Sequence, residues 1–239
     1  MGSVLHDGLL DSLGREIVDG ATPPGSALTL DQISARFGVS RTVAREAMRM
    51  LESMRLITSR RRVGLVVRPR EEWDVFDPRL IRWRLDGLQR AEQLRSLTEL
   101  RLAVEPHAAA CAARSAGRER GAELVRLAAR MRQLGEEGRL DEFMELDIEF
   151  HARLLRASGN EMFAALTDVV AEVLRGRTEH GLMPSHPEEE ALSTHEAVAA
   201  AVQAGDADAA EAAMSRITDE VRRALAASPT SGPASTPGR

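Results

Sequence analysis

At 239 residues the chain can form two modest domains, and its 43% hydrophobic and 29% charged residues describe a soluble globular protein. No apolar run reaches a membrane span, the N-terminus lacks a secretion signal, and the single cysteine, Cys111, excludes an internal disulfide framework, so a cytoplasmic protein with no membrane partner is expected. The net charge of −5 hides an asymmetry: ten arginines face three acids between Thr29 and Arg70, a local balance of +7, whereas the chain from Glu71 onward carries −9.

Val4 to Val18 reads as an amphipathic helix through Leu5, Leu9, Leu13 and Ile17, ended by the turn from Gly20 to Gly25. Thr29 can cap a short helix carrying Leu30, Ile33 and Phe37, which Gly38 terminates. Ser40 caps the next, from Arg41 to about Met54, with Val43, Ala47, Met50 and Leu51 expected to face inward. Leu56–Thr58 and Leu65–Val67 are short strand candidates on either side of a basic tip, Arg60-Arg61-Arg62. This is the order of a winged helix-turn-helix.

The tight turn at Gly38-Val39 aims the second helix's N-terminus outward. Free backbone N–H groups, the Ser40 and Thr42 hydroxyls, and Arg41 and Arg45 are then offered to phosphates and base edges. Arg41, Arg45 and Arg49 recur every four residues on one face. Three arginines so spaced describe an ordinary solvated helix face when isolated; the basic hairpin downstream, with Arg61 at its centre, favours DNA. The run from Phe37 through Ser40-Arg-Thr-Val-Ala-Arg-Glu-Ala-Met48, with Pro24-Gly25, Leu51-Glu52, Leu56-Ile57 and Gly64, resembles the winged-helix domain of GntR-family bacterial regulators. The resemblance implies operator contacts from Ser40, Arg41, Thr42 and Arg45 and a minor-groove approach by Gly64. Asp31 departs from it, standing where many members carry a basic DNA contact.

Asp77-Pro78 opens a short helix with Leu80, Ile81, Trp83 and Leu85. Six helices are then expected, about Ala91–Ser115, Glu119–Leu134, Asp141–Ala157, Glu161–Arg177, Glu188–Ala204 and Ala207–Ala226, before a low-complexity tail. Polar groups interrupt three inward stripes. Arg101 falls among Leu94, Leu97, Val104 and Ala108, where a buried guanidinium needs an anion. That anion is Glu105 one turn on or a ligand carboxylate, and in the second case replacement of Arg101 by leucine should be tolerated. Asp147 and His151 share a face with Phe143, Phe150 and Leu154, a geometry that holds either a metal or a buried hydrogen bond. His195 centres the stripe Leu192, Val198, Val202.

This half resembles the FCD ligand-binding domain of the FadR subfamily, on Glu99-Leu-Arg101 to Glu105-Pro, Asp147-Ile-Glu-Phe-His151, Ser158-Gly-Asn160, His195 and Ala213-Met214. The resemblance implies an all-helical domain, a two-fold dimer, and a cavity where one Asp and three His hold a divalent ion such as zinc. It also implies Arg101 and Asn160 as effector-binding residues. The last histidine of the pattern falls on Ile217, so the expected ligands here are Asp147, His151 and His195. The segment Trp73 to Trp83 resembles members that sense sugar acids.

The sequence thus describes a mainly α protein. Residues 1–70 are a winged helix-turn-helix with a small β-hairpin wing; 71–88 are a linker and short helix; 89–226 are an all-α bundle for effector binding and dimerisation; 227–239 are a disordered tail. The expected function is a ligand-responsive repressor, a homodimer on pseudo-palindromic double-stranded operator DNA that answers a small carboxylate such as a sugar acid. The alternatives are an acyl-CoA or other bulky-ligand sensor of the same subfamily and a metal-dependent enzyme. Against the enzyme, no general base or nucleophile stands beside the Asp/His/His set.

Overall fold

A computed structural model of the chain describes residues 2–179 and 189–227. The chain divides into two units, Met1–Gln93 and Leu94–Arg239. The expected tail from residue 228 onward lies outside the described residues, as do His180 and His186.

The first unit begins with α1 (Gly2–Val18), followed by β1 (Ala27–Leu28), α2 (Leu30–Phe37) and α3 (Arg41–Ser53). The strands β2 (Ile57–Arg60) and β3 (Gly64–Val67) form the wing, and α4 (Pro78–Asp86) closes the unit. Local chemistry explains the helix ends. Thr29 and Gln32 form a reciprocal capping box on α2, and Gly38, at φ 65°, ends that helix in the left-handed conformation. Ser40 caps α3 by accepting from the Val43 amide. Asp77 caps α4 with Pro78 at its first position.

The wing is a three-stranded antiparallel sheet in the order β1-β3-β2, with Ala27 opposite Val66 and Thr58 opposite Val66 on the other side. β1 was not legible in the sequence, because two residues carry no period. Gly64 marks the place: at φ 104°, a Cβ there would stand 2.7 Å from the Leu28 carbonyl oxygen. Only glycine allows β3 this close to β1.

The core of the unit joins Leu9, Leu10, Leu13 and Ile17 of α1 to Ala44, Ala47, Met48 and Leu51 of α3. Met50, expected inside, is 37% exposed, since the buried face of α3 runs through Ala44, Ala47 and Met48 instead. Residues 71–88, expected as a linker and short helix, contribute Trp73, Leu80 and Trp83 to this same core. Their indole N–H groups are satisfied by the Arg68 carbonyl at 3.1 Å and by Asp11 at 3.1 Å.

The second unit is all helical: α5 (Arg90–Ser115, its first turn in the first unit), α6 (Gly117–Glu136), α7 (Leu140–Ala157), α8 (Glu161–Ala164), α9 (Thr167–Glu179), α10 (Glu189–Ala204) and α11 (Ala207–Ala227). The helix expected over Glu161–Arg177 is broken into α8 and α9. The Thr167 hydroxyl donates to the Ala164 carbonyl at 2.7 Å, taking an acceptor that a continuous helix would use. One core gathers Leu124, Met131, Phe143, Phe150, Leu192, Val198, Met214 and Ile217, with alanines of α5 letting helices approach closely.

Gly14 tests the α1–α4 packing. A Cβ there would stand 2.3 Å from the Trp83 ring. Gly14→Ala gains about 1 kcal/mol of helix propensity, but the rigid indole cannot yield, and overpacking costs about 1–3 kcal/mol. The expected outcome is a net loss of stability with a shifted tryptophan emission, read by urea unfolding. Both tryptophans lie in this core, so the signal reports on it alone.

Candidate functional site

Two constellations carry chemistry, one in each unit. In the first, α3 presents Ser40, Arg41, Thr42, Arg45 and Arg49, all exposed. A groove lined by Thr29, Arg41, Arg45, Glu52, Ser59 and Gly64 runs between this helix and the wing. Arg45 and Arg61 form no hydrogen bond or ion pair with any described residue. Arg41 does: its Nε donates to Asp31 Oδ1 at 2.7 Å. Arg49 is held by Glu46 at 2.8 Å. Glu52 accepts from the Ser59 amide at 3.0 Å and so ties the helix to the wing. The wing's exposed tip is Arg61, Arg62 and Val63, while Gly64 is half-buried against β1. Gly64 therefore shapes the wing from within.

The second constellation is buried. Asp147 and His151 stand one turn apart on α7, and His195 faces them from α10. Their ligating atoms all lie within 4.8 Å of one another. Both imidazoles turn Nε2 toward the same oxygen: His195 Nε2 is 3.1 Å and His151 Nε2 3.4 Å from Asp147 Oδ1. Their outer nitrogens are also engaged. His195 Nδ1 lies 2.7 Å from the Ala191 carbonyl, and His151 Nδ1 lies 2.9 Å from Glu105 Oε2, off the line of a straight hydrogen bond. Phe150 packs edge-on against both rings.

Arg101 and Glu105 complete the cluster from α5, 2% and 0% exposed. Arg101 donates from Nε to Oε1 at 2.7 Å and from Nη2 to Oε2 at 3.1 Å; the same Nη2 is 3.4 Å from His151 Nε2, and Nη1 has no partner. Of the two anions open to Arg101 in the sequence, the structure supplies Glu105.

The charges hold one another. Burial alone would raise the Glu105 carboxyl, but Arg101 and His151 pull it to about 2. Burial would lower the His151 imidazolium, yet Glu105 and Asp147 raise it to about 9. Burial also opposes the Asp147 carboxylate, and hydrogen bonds from His151 and His195 outweigh it, leaving Asp147 well below the usual carboxylate range.

Two further residues are placed by the structure. Asn160 is exposed and caps α8, accepting from the Met162 amide at 2.9 Å, so it takes no part in the buried set. Arg177, which sequence reasoning passed over, is buried in the last turn of α9. The signal that found Arg101 was available there too: Val170, Leu174 and Arg177 share an inward stripe. Ile217 is buried at 6% exposure on the stripe expected for a fourth ligand.

The family profile described as bacterial regulatory proteins of the gntR family matches residues 5–67, and that of the FCD domain matches residues 96–220. The chain belongs to the GntR family, in the group that carries an FCD domain. A galactonate operon transcriptional repressor of Escherichia coli is 30% identical over 223 residues, covering 91% of this chain and 95% of that protein. A probable D-xylose utilization operon transcriptional repressor of Paenarthrobacter nicotinovorans is 29% identical over 207 residues, covering 85% and 81%. The solved structure of E. coli McbR/YncC superposes with a TM-score of 0.53 at 20% identity, covering 93% of this chain and 97% of that one, and shows the shared fold. This GntR-family protein is thus a DNA-binding transcriptional regulator and not an enzyme. No helix among the described residues is long and apolar enough to cross a membrane.

The Arg101–Glu105 pair reverses one expectation from the sequence. Arg101→Leu leaves Glu105 buried with its main partner gone, and breaking such a pair costs about 3–5 kcal/mol. Arg101→Leu with Glu105→Leu removes both charges and should restore most of that loss. Thermal and urea unfolding of the single and double variants check this; equal stability of the Arg101→Leu variant and wild type would contradict it.

Proposed function

We propose that the chain is a repressor that binds a pseudo-palindromic operator as a homodimer and whose DNA affinity is set by a small hydroxy-carboxylate of the sugar-acid class. The observation that carries this reading is the convergence of Asp147, His151 and His195 in the FCD core beside buried arginines. One relative is named as a galactonate operon repressor, which supports the same ligand class; another is named for utilization of D-xylose, a neutral sugar.

On DNA, Arg41 and Arg45 read base edges from the N-terminal turns of α3, while Ser40, Thr42, Arg49 and Arg61 engage phosphates. Arg41 must leave Asp31 to do so. Both groups are exposed, so the exchange costs little.

In the FCD unit the donor set fits a divalent ion such as zinc: one carboxylate and two imidazoles converge on one point, each outer nitrogen facing an oxygen that orients the ring. Such an ion, when bound, supplies a Lewis-acid anchor for effector oxygens. The chain's own residues do the rest. Asp147 and the two histidines fix that point, Glu105 orients His151, and Phe150 walls the rings. Ile217 stands on the stripe expected for a fourth ligand and offers no donor atom, so an ion held by Asp147, His151 and His195 would leave room for effector oxygens. A bulky acyl-CoA would have little use for so compact a polar cluster. Effector binding shifts operator affinity only by as much as it discriminates between the DNA-binding and non-binding states.

The test is fluorescence anisotropy on the tightest duplex recovered by selection from random DNA. Arg41→Ala and Arg45→Ala should each weaken binding by about 1–3 kcal/mol. Arg61→Ala should weaken binding to all sequences and reduce the salt slope by about 1. D-galactonate and related aldonates should change wild-type affinity but not that of His195→Ala. Wild-type affinity in an Arg41/Arg45 double variant would overturn the DNA-contact assignment, and indifference of wild type to every acid would overturn the effector class.

A further inference from the structure

Val170 and Leu174 of α9 pack with Ala108 of α5 and Leu155 of α7 in one apolar cluster, with Val104 and Ile148 against it. Each helix carries that face onward to a charge. On α9 the next inward position is Arg177; on α5 it is Arg101, after Val104; on α7 it is His151, and Asp147 follows one turn further. The apolar cluster thus ends at a layer of buried ionic groups to which all three helices contribute.

Arg177 differs from every other member of that layer. It is 9% exposed, yet it donates no hydrogen bond and forms no ion pair with any described residue. Arg101 is already committed to Glu105 through two of its nitrogens. Burial and the like charge of Arg101 lower the Arg177 pKa to about 10, against the pull of Asp147, Glu220 and Glu105. None of its nitrogens is among the fully buried atoms left without a partner, so the guanidinium reaches accessible space beside the ionic layer and is open to an incoming anion.

We propose that Arg177 is the principal anchor for the effector's carboxylate, an inference that rests on the effector-binding function above. Its planar fork takes a carboxylate through two parallel N–H···O bonds. The free Nη1 of Arg101 is a secondary donor. The ligand class that follows is a compact hydroxy acid: the carboxylate on Arg177, and neighbouring hydroxyl oxygens toward Asp147, His151 and His195. A neutral sugar of the same shape leaves Arg177 uncompensated and is rejected.

The experiment uses the full chain with Arg177→Met and Arg177→Lys. Binding of D-galactonate, shorter aldonates and D-galactose is measured by calorimetry and thermal shift at constant ionic strength. Without ligand, Arg177→Met should melt at or above wild type, because a partly desolvated charge with no ion pair to a described residue has been removed. Its affinity for the acid that wild type binds should fall about 10- to 100-fold, with Arg177→Lys between the two. D-galactose should bind none of the three proteins. Unchanged acid affinity in Arg177→Met would overturn the assignment while leaving the effector class intact. So would a ligand-free Arg177→Met melting well below wild type, since the arginine would then be structural. If no acid shifts wild type, the effector class falls and this assignment falls with it.

Discussion

The mutual compensation of five ionisable groups in an otherwise apolar helix bundle governs the second unit. Arg101, Glu105, Asp147, His151 and His195 are all buried, and none has water to fall back on. Each charge is tolerable because the next supplies its counter-charge: Arg101 to Glu105, Glu105 to His151, His151 to Asp147, with His195 Nε2 3.1 Å from Asp147 as a hydrogen-bond partner. An isolated buried charge costs several kcal/mol, so deleting one link strands its neighbour. Helices α5, α7 and α10 are therefore held in register by ionic geometry as well as by Leu and Ala packing. Arg177 stands outside this chain of compensation among the described residues, and with Arg101 Nη1 it is left open to an anion.

The sequence made much of this legible for one reason. A helical period of 3.6 assigns every residue to a face, and a charge on an inward face is conspicuous. Asp147, His151, His195 and Ile217 were placed on their stripes in this way, and all are buried. Periodicity says nothing about which charge meets which. Both possible partners of Arg101 stayed open until the helix geometry brought Glu105 within 2.7 Å. Arg177 was legible in the same way, as a charge on the stripe of Val170 and Leu174, but was not singled out in the sequence. Asn160, given as an effector residue by resemblance, is exposed and makes a local capping bond that the sequence reading did not anticipate. In the first unit, capping residues and turn glycines marked the helices well. The two-residue β1 and the packing of Trp73 and Trp83 into the winged-helix core are tertiary facts with no local signature.

The DNA-binding face shows a related economy. Its arginines are not all free: Asp31 holds Arg41 and Glu46 holds Arg49, each pair exposed and therefore weak. With Asp31 and Glu46 beside them, the face is less cationic than its arginine count alone implies. Arg45 and Arg61 remain unpaired and account for the long-range field of the groove and wing. On the proposed contacts, sequence preference depends on whether a site offers Arg41 more than Asp31 does.

The central claim is that the buried set exists to hold a ligand through Asp147, His151 and His195. Metal content after zinc loading and exhaustive dialysis, read by elemental analysis, tests it most directly. Wild type should retain about one ion per chain, as two imidazoles and a carboxylate with open positions can hold. Asp147→Ala should retain none. Ile217→His, whose side chain already faces inward, should hold the ion against stronger chelators than wild type does. A wild type that retains no metal and an Ile217→His variant that gains none would contradict the claim, leaving the three residues a hydrogen-bonded polar core.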